Sequence, residues 1–273
     1  MAFAIDDLTT VIAHWSADQI TGLADGDPVD ALPDSISSWD LAGTTTTRPL
    51  YRPTSSINSL PAVEFDGVDD WLKTATTKTM GGSMGVACVV SFDVLKNYNV
   101  INWLSTVNGN PAYGVSSMSI GTYVYSGGHA IVASHDGSTF GYIFSASGSL
   151  LANTNYILTL MYGYSDTSIR TNGFSSTGNA SGTKDGLSHD VVSRAVYGSF
   201  GSNTTAGARM DGLLSESVIW NESIDNESFY IEGVLAHKYG ITLPTTHPFY
   251  SAAPTSGPPT GGGGAAVHPL GGA

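Results

Sequence analysis

Tyr156-Ile157-Leu158-Thr159-Leu160-Met161-Tyr162, then Ser168-Ile169-Arg170-Thr171 and the pair Asn172-Gly173, sets the local pattern of this chain. The first run has the apolar and β-branched content of a strand, and alternation extends over residues 156–164. Asn172-Gly173 fits a two-residue hairpin turn, because both residues tolerate positive φ. The same grammar recurs on either side. Strand-like runs are read at 62–65, 86–95, 98–104, 121–125, 129–134, 139–145, 156–162, 168–171, 194–200 and 211–220. Turn signals separate them at Asn108-Gly109-Asn110-Pro111, Gly127-Gly128 and Asp136-Gly137. About a dozen short strands joined by tight turns predict an all-β, two-sheet antiparallel sandwich.

One segment departs from this pattern. Asp225–Tyr239 has Asp225 as a candidate N-cap, Glu227 near the positive end, and His237 and Lys238 in the last turn before Gly240. Ile231, Val234, Leu235 and Lys238 fall at helical spacing. A C-terminal helix is expected here, with Gly233 allowing close approach to a sheet. After Leu243-Pro244 the composition changes. Residues 251–273 are mostly Ala, Pro, Gly, Ser and Thr, including the run 261–264 of four glycines, and hold too little apolar surface to order themselves. The chain therefore divides into a body, 1–250, and an extended tail, 251–273, tipped by Val267-His268-Pro269-Leu270 as a small apolar partner-binding plug.

Composition narrows the function classes. Lys and Arg number 10 against 23 Asp and Glu, a formal charge of −13. Nucleic-acid binding needs clustered cations, and anionic membranes need the same, so neither partner is expected. Charged residues are 12% of the chain, about half the roughly 25% of an ordinary soluble domain, with Thr, Ser, Asn and Gly in their place. The single cysteine, Cys88, lies inside an apolar run and reads as a buried small hydrophobe, so no disulfide framework is expected. The first residues, Met1-Ala2-Phe3-Ala4-Ile5-Asp6-Asp7, have neither the basic nor the apolar region of a signal peptide, and no run is long and apolar enough to span a membrane. Synthesis in a reducing cytoplasm is the expectation that follows.

Two segments carry a family resemblance. Trp15-Ser16-Ala17-Asp18-Gln19-Ile20, Leu23–Val29 and Arg48-Pro49 lead into Ala62-Val63-Glu64-Phe65-Asp66-Gly67-Val68-Asp69-Asp70-Trp71-Leu72. Leu214-Ser215-Glu216-Ser217-Val218-Ile219-Trp220-Asn221 leads into the helix, then Leu243-Pro244 and His247-Pro248-Phe249-Tyr250. Together they resemble the concanavalin A-like, laminin-G-type domains of bacterial surface proteins and phage virion proteins, over roughly residues 11–250. The resemblance implies a jelly-roll sandwich and a habit of binding glycans or proteins, without implying a reaction. Ser228 departs from the Glu that similar proteins carry there to complete a capping box.

Candidate chemistry is sparse. Glu64, Asp66 and Asp69 have the Glu-x-Asp-x-x-Asp spacing of paired carboxylates in sandwich glycosidases, yet Gly67 directly after Asp66 favours a strand-end turn. Asp25, Asp27 and Asp30, with Asp34 behind them, form an acidic loop able to offer hard oxygen ligands to Ca²⁺, though without the remainder of an EF-hand. The seven histidines show no metal-ligand spacing, and no cofactor motif is present. Tyr98, Trp103, Tyr113 and Tyr125, with Tyr123, Tyr142 and Tyr164, lie near turns or strand ends and are the candidate sugar-stacking residues. The reading that joins these is a non-enzymatic phage virion surface protein, a capsid decoration or tail-associated adhesin. It would be made in the host cytoplasm and held on the major capsid protein or a neighbouring copy by its tail, with cell-surface glycans as further partners. A bacterial surface carbohydrate-binding module is the alternative, and a glycoside hydrolase stands behind it.

Overall fold

The computed structural model describes residues 4–80, 83–96, 99–105, 118–125, 127–136, 140–145, 148–162, 168–175, 194–201, 209–221 and 225–257. Within them lie two antiparallel sheets. The first runs β15 (Phe174–Ser175), β14 (Ser168–Thr171), β13 (Asn155–Tyr162), β8 (Met84–Phe92), β17 (Asp211–Asn221), β5 (Ala62–Asp66), β4 (Leu50–Arg52), with β1 (Val11–Ser16) also paired to β17. The second runs β12 (Phe140–Phe144), β11 (His129–Asp136), β10 (Met118–Tyr125), β9 (Asn99–Ser105), β16 (Arg194–Phe200), β6 (Leu72–Thr74), β3 (Leu41–Ala42), β2 (Ala31–Leu32), with β7 (Lys78–Met80) paired to β16. The expected all-β sandwich with one C-terminal helix, α1 (Asp225–Tyr239), is the fold observed.

The predicted hairpin closes as its sequence requires. Asn172 has φ 51° and Gly173 φ 77°, and Thr171 pairs with Phe174 across them. The apolar run at 84–92 reads differently from an alternating strand because β8 is buried at every position. Val86, Cys88, Val90 and Phe92 enter the core between the sheets with Leu158, Leu160, Ile101 and Leu104. Ala87 and Val89 face the other way and pack, with Ile157, Val218 and Trp220, under Tyr230, Ile231, Leu235, Ala236 and Tyr239 of α1. Each large apolar side chain so buried contributes roughly 1.5–3 kcal/mol. Cys88 is the buried hydrophobe expected, its sulfur 3.3 Å from the Ser217 hydroxyl.

A bulge in β17 decides what lies beneath the helix. Leu214 pairs with Val90 and Glu216 with Val89, so Ser215 has no partner on β8. The extra residue reverses the alternation. Leu214 belongs to the inter-sheet core, whereas Glu216 turns with Leu213, Val218 and Trp220 toward the helix side, where Lys238 and Tyr239 meet it. Trp220 lies on that side opposite Gly85, where a Cβ would fall 1.9 Å from the indole. Gly233 answers a different neighbour from the one expected. A Cβ there would meet the Phe249 ring at 2.8 Å, so its small size admits the segment after the helix rather than the sheet.

Two buried ionic clusters fasten this layer. In the first, Glu216 accepts from His14 Nε2 at 2.8 Å, from the Tyr239 hydroxyl at 2.7 Å and from Lys238. His14 Nδ1 lies 2.5 Å from Asp6, and Lys238 reaches Asp18 at 2.6 Å. The cluster thus joins both N-terminal turns, β1, β17 and α1. In the second, Arg170 donates to Glu232 at 2.8 Å and to the Ser228 hydroxyl, with its guanidinium 4.5 Å from the centre of the Phe229 ring. His247 Nε2 lies 3.2 Å from the other Glu232 oxygen, which ties the segment after the helix to the same ion pair. Ser228, odd as a capping residue, is a buried partner for an arginine.

Burial, the largest single influence on His14, would lower its pKa, but the hydrogen bonds it donates to Asp6 and Glu216 outweigh it and lift it from 6.5 to about 9. Burial raises Glu216, yet His14 and Lys238 bring it from 4.5 down to about 2. A raised histidine stabilises fully below its unfolded value and loses that contribution as the pH climbs through its folded one. The His14 contribution to stability against urea is therefore expected to be full up to about pH 6.5 and to be lost by about pH 9.5, a fall of about 3 kcal/mol across that window. His14→Gln should lower stability at pH 6 and flatten that decline. An equally steep decline in the variant would place the titration elsewhere.

Candidate functional site

The turn after β5 gathers the densest set of acidic side chains that the sequence singled out. Its geometry is that of a structural turn. Asp66 Oδ1 accepts from the amides of Val68 at 2.8 Å and Asp69 at 3.3 Å, and Gly67 takes φ 72° between them. The Asp66 amide donates to Asp70 Oδ2 at 2.9 Å. Lys96 clamps the turn from the β8 side, 2.5 Å from Asp211 and 3.2 Å from the Gly67 carbonyl. Glu64, two residues back, is gripped by Arg52, which lies 2.5 Å from Oε2 and also reaches Asp25 at 3.2 Å. A retaining or inverting pair needs one carboxyl free to donate a proton and another free to attack or activate water. Here Glu64 lies in an ion pair and Asp66 holds its own turn.

Asp66, Asp69 and Asp70 bring carboxylate oxygens within 4.8 Å of one another, close enough to share a hard cation. Burial, with the charges of Asp66 and Asp69 behind it, raises Asp70 from 3.8 to about 6. The acidic loop proposed from sequence is arranged otherwise. Asp25 reaches Arg52, Asp30 lies 2.5 Å from Arg48, and Asp27 accepts the Ala24 amide at 2.7 Å. Asp34 is buried and accepts the amides of His14 at 2.9 Å and Ile36 at 3.1 Å. The structure spreads these four over separate partners. The signal for the tighter group was the Asp69-Asp70 pair three and four residues after Asp66, which folds back on itself only because Gly67 turns the chain.

The aromatic candidates divide. Tyr98, Tyr113 and Tyr164 lie outside the described residues, as do Val267, His268, Pro269 and Leu270 of the tail. Trp103 and Tyr125 belong to β9 and β10 in the second sheet, with Tyr123 on β10 and Tyr142 on β12. Backbone register sets Trp103 in a cross-strand row: Ala42 faces Lys73, Lys73 faces Ser199, Ser199 faces Trp103, and Trp103 faces Gly121. The described members of this row look outward. Leu72, Val196, Phe200 and Leu104 enter the core, while Ala42 and Ala195 are exposed and Lys73, Tyr197 and Ser199 half-buried. Composition and motif reading passed over Lys73 and Trp71. The Lys73 ammonium stands 4.7 Å from the centre of the half-buried Trp71 ring.

No family model and no curated protein matches this sequence. Solved structures do match its fold. Domain 4 of AbnA, a GH43 extracellular arabinanase from Geobacillus stearothermophilus solved with arabinotriose, superposes with a TM-score of 0.54 at 14% identity, over 79% of this chain and 94% of that domain. Trypanosoma rangeli sialidase in complex with sialic acid gives a TM-score of 0.54 at 12% identity, over 85% of this chain and 33% of the sialidase. The chain thus spans about a third of the sialidase and nearly all of the arabinanase domain. The likeness is one of fold: an antiparallel β-sandwich of jelly-roll type.

The acidic turn makes its own prediction. A raised folded pKa means that ionised Asp70 opposes folding, a cost that grows above 3.8 and is complete above about 6. Asp70→Asn keeps an oxygen for the Asp66 amide and removes the charge. It is expected to gain about 1 kcal/mol over the parent at pH 7.5 and to match it at pH 3.5 in chemical unfolding. A loss at pH 7.5 would contradict the account.

Proposed function

We propose that this chain is a non-enzymatic carbohydrate-recognition module that presents the outward face of its second sheet to glycans. The single observation that carries the reading is the sheet arrangement. Helix α1 and the residues beside it cover the outer face of the first sheet, whereas the described outward side chains of the second sheet are exposed or half-buried. The arabinotriose-bound domain has the same overall architecture across nearly its full length, which supports assigning glycans to this one. Aromatic faces stack on sugar rings while hydroxyl and amide groups take their hydrogen bonds. The ion-paired Glu64 and the turn-forming Asp66 support the absence of hydrolysis.

An array of immobilised oligosaccharides tests the reading. Retention of at least one glycan class without turnover is expected, and Glu64→Gln with Asp66→Asn should change retention little. Product release by the parent that this double variant abolishes would make the protein a hydrolase instead.

The finer setting we infer is the surface of a phage virion, with the tail as the attachment device and the major capsid protein or a neighbouring copy as its partner. The abrupt Gly- and Pro-rich composition of the last residues supports it. Pro254 is buried, so the informative truncation spares it and removes 258–273. That truncated protein should unfold at the parent's temperature within a degree or two and yet fail to join particles assembled in its presence. Normal incorporation of the truncated protein would overturn the attachment role.

A further inference from the structure

Acidic groups exceed basic ones by more than two to one in this chain, and the described cations are mostly spoken for. Arg48, Arg52, Lys78, Lys96, Arg170 and Lys238 each reach a carboxylate of the same molecule. Lys73 departs from that habit, its ammonium resting over the Trp71 ring. Its place in the sheet gives the departure a direction. Leu72 and Thr74 on either side of it point inward and are fully buried, so Lys73 is outward, between Ala42 and Ser199 in the cross-strand row.

We propose that Lys73, standing on Trp71, is the anchoring cation of a glycan subsite on the outward face of the second sheet, and that the sugar it selects carries a carboxylate. The inference rests on the recognition reading above and deepens it. An ammonium beside a half-buried indole combines two kinds of attraction: a charge-assisted hydrogen bond to an anion, and an aromatic surface for the apolar face of a ring. Ser199, directly across the ladder, sets a small residue beside the ammonium, so that a ring can approach it. Lys73 is a point charge rather than the planar fork that recognises phosphate bidentately, which suits a singly charged carboxylate. The row continues to Trp103 and Gly121, and the strand spacing of about 4.8 Å puts Trp103 roughly 10 Å from Lys73 along the sheet. That span leaves room for further rings beyond the anchored one. The negative surface elsewhere is screened over about 8 Å at physiological salt, so the local cation governs the contact.

The test uses the full chain and matched probes: oligosaccharides ending in glucuronic acid or N-acetylneuraminic acid, each beside its methyl ester, with neutral oligosaccharides on the same array. The acid form is expected to bind about tenfold more tightly than the ester, the scale of one hydrogen bond to a charged group. Lys73→Gln should erase that preference without moving the unfolding temperature, and Trp71→Ala should weaken acid and ester alike. Equal binding of acid and ester by the parent, or a preference that persists in Lys73→Gln, overturns the inference while leaving neutral-glycan recognition standing. An array on which nothing binds removes the recognition reading and this one with it.

Discussion

Strands β8 and β17 run side by side through the middle of the first sheet, and both are covered from two directions. One side of the pair meets the second sheet and the other meets α1. A sheet buried on one face can rely on alternation, apolar inward and polar outward. A sheet buried on both cannot, and its sequence loses the alternating signature. Everything outside the pair follows from this double covering. The helix is required because Ala87, Val89, Val218 and Trp220 would otherwise face water. The second sheet is closed on its inner side by Leu72, Val196 and Phe200, and its described outward side chains, among them Ala42, Lys73, Ala195 and Ser199, are exposed or half-buried.

The helix covers its sheet in a mixed way. Besides Tyr230, Ile231, Leu235 and Tyr239 it buries Glu232 and Ser228, because Arg170 rises from β14 on that side of the sheet and must be matched. Desolvating such ions costs several kcal/mol each, and attraction repays this only when every remaining hydrogen-bonding atom is satisfied. The two clusters meet that condition through many partners of unlike chemistry. They contribute specificity at least as much as net stability. An apolar helix could slide along an apolar sheet, whereas Glu216 with Lys238 and Glu232 with Arg170 fix where it rests.

The strands at 62–66, 84–92, 155–162, 168–171, 194–200 and 211–221 were visible in the sequence because their apolar runs are long and their turns are marked by Gly and Asn. The short strands β2, β3, β4, β6, β7 and β15 were not read, since two or three residues carry no periodicity, and the six-residue β1 was not read either. The helix was legible at both ends through Asp225 and Gly240, yet its neighbours were not. Gly233 pointed to a close approach, and only the fold could name Phe249 as the approaching group. Ser228 looked like a weakened cap because its arginine comes from a strand nearly sixty residues earlier. The candidate site was legible in kind and not in place. Aromatics were expected, and Trp71 and Lys73 share a face by local alternation, but which face looks outward is settled only by pairing with strands distant in sequence.

The two ends of the argument meet in the distribution of charge. A surface poor in charge and acidic in sum offers few places where an anion is welcome. Among the described residues Arg48, Arg52, Lys78, Lys96, Arg170 and Lys238 each pair with a carboxylate, and that internal pairing gives Lys73 its meaning. Were cations abundant and unpaired, one more on a sheet face would discriminate nothing. In a chain of −13 formal charge, a single ammonium set on an indole and bordered by Ala42 and Ser199 is a local reversal of sign on a face not covered by the helix. Such a reversal would resolve a neutral sugar from an acidic one by the chemistry of one side chain. Selectivity then comes from scarcity: among the described residues the fold pairs cations where they hold elements together, and sets Lys73 on an indole where a ligand can reach it.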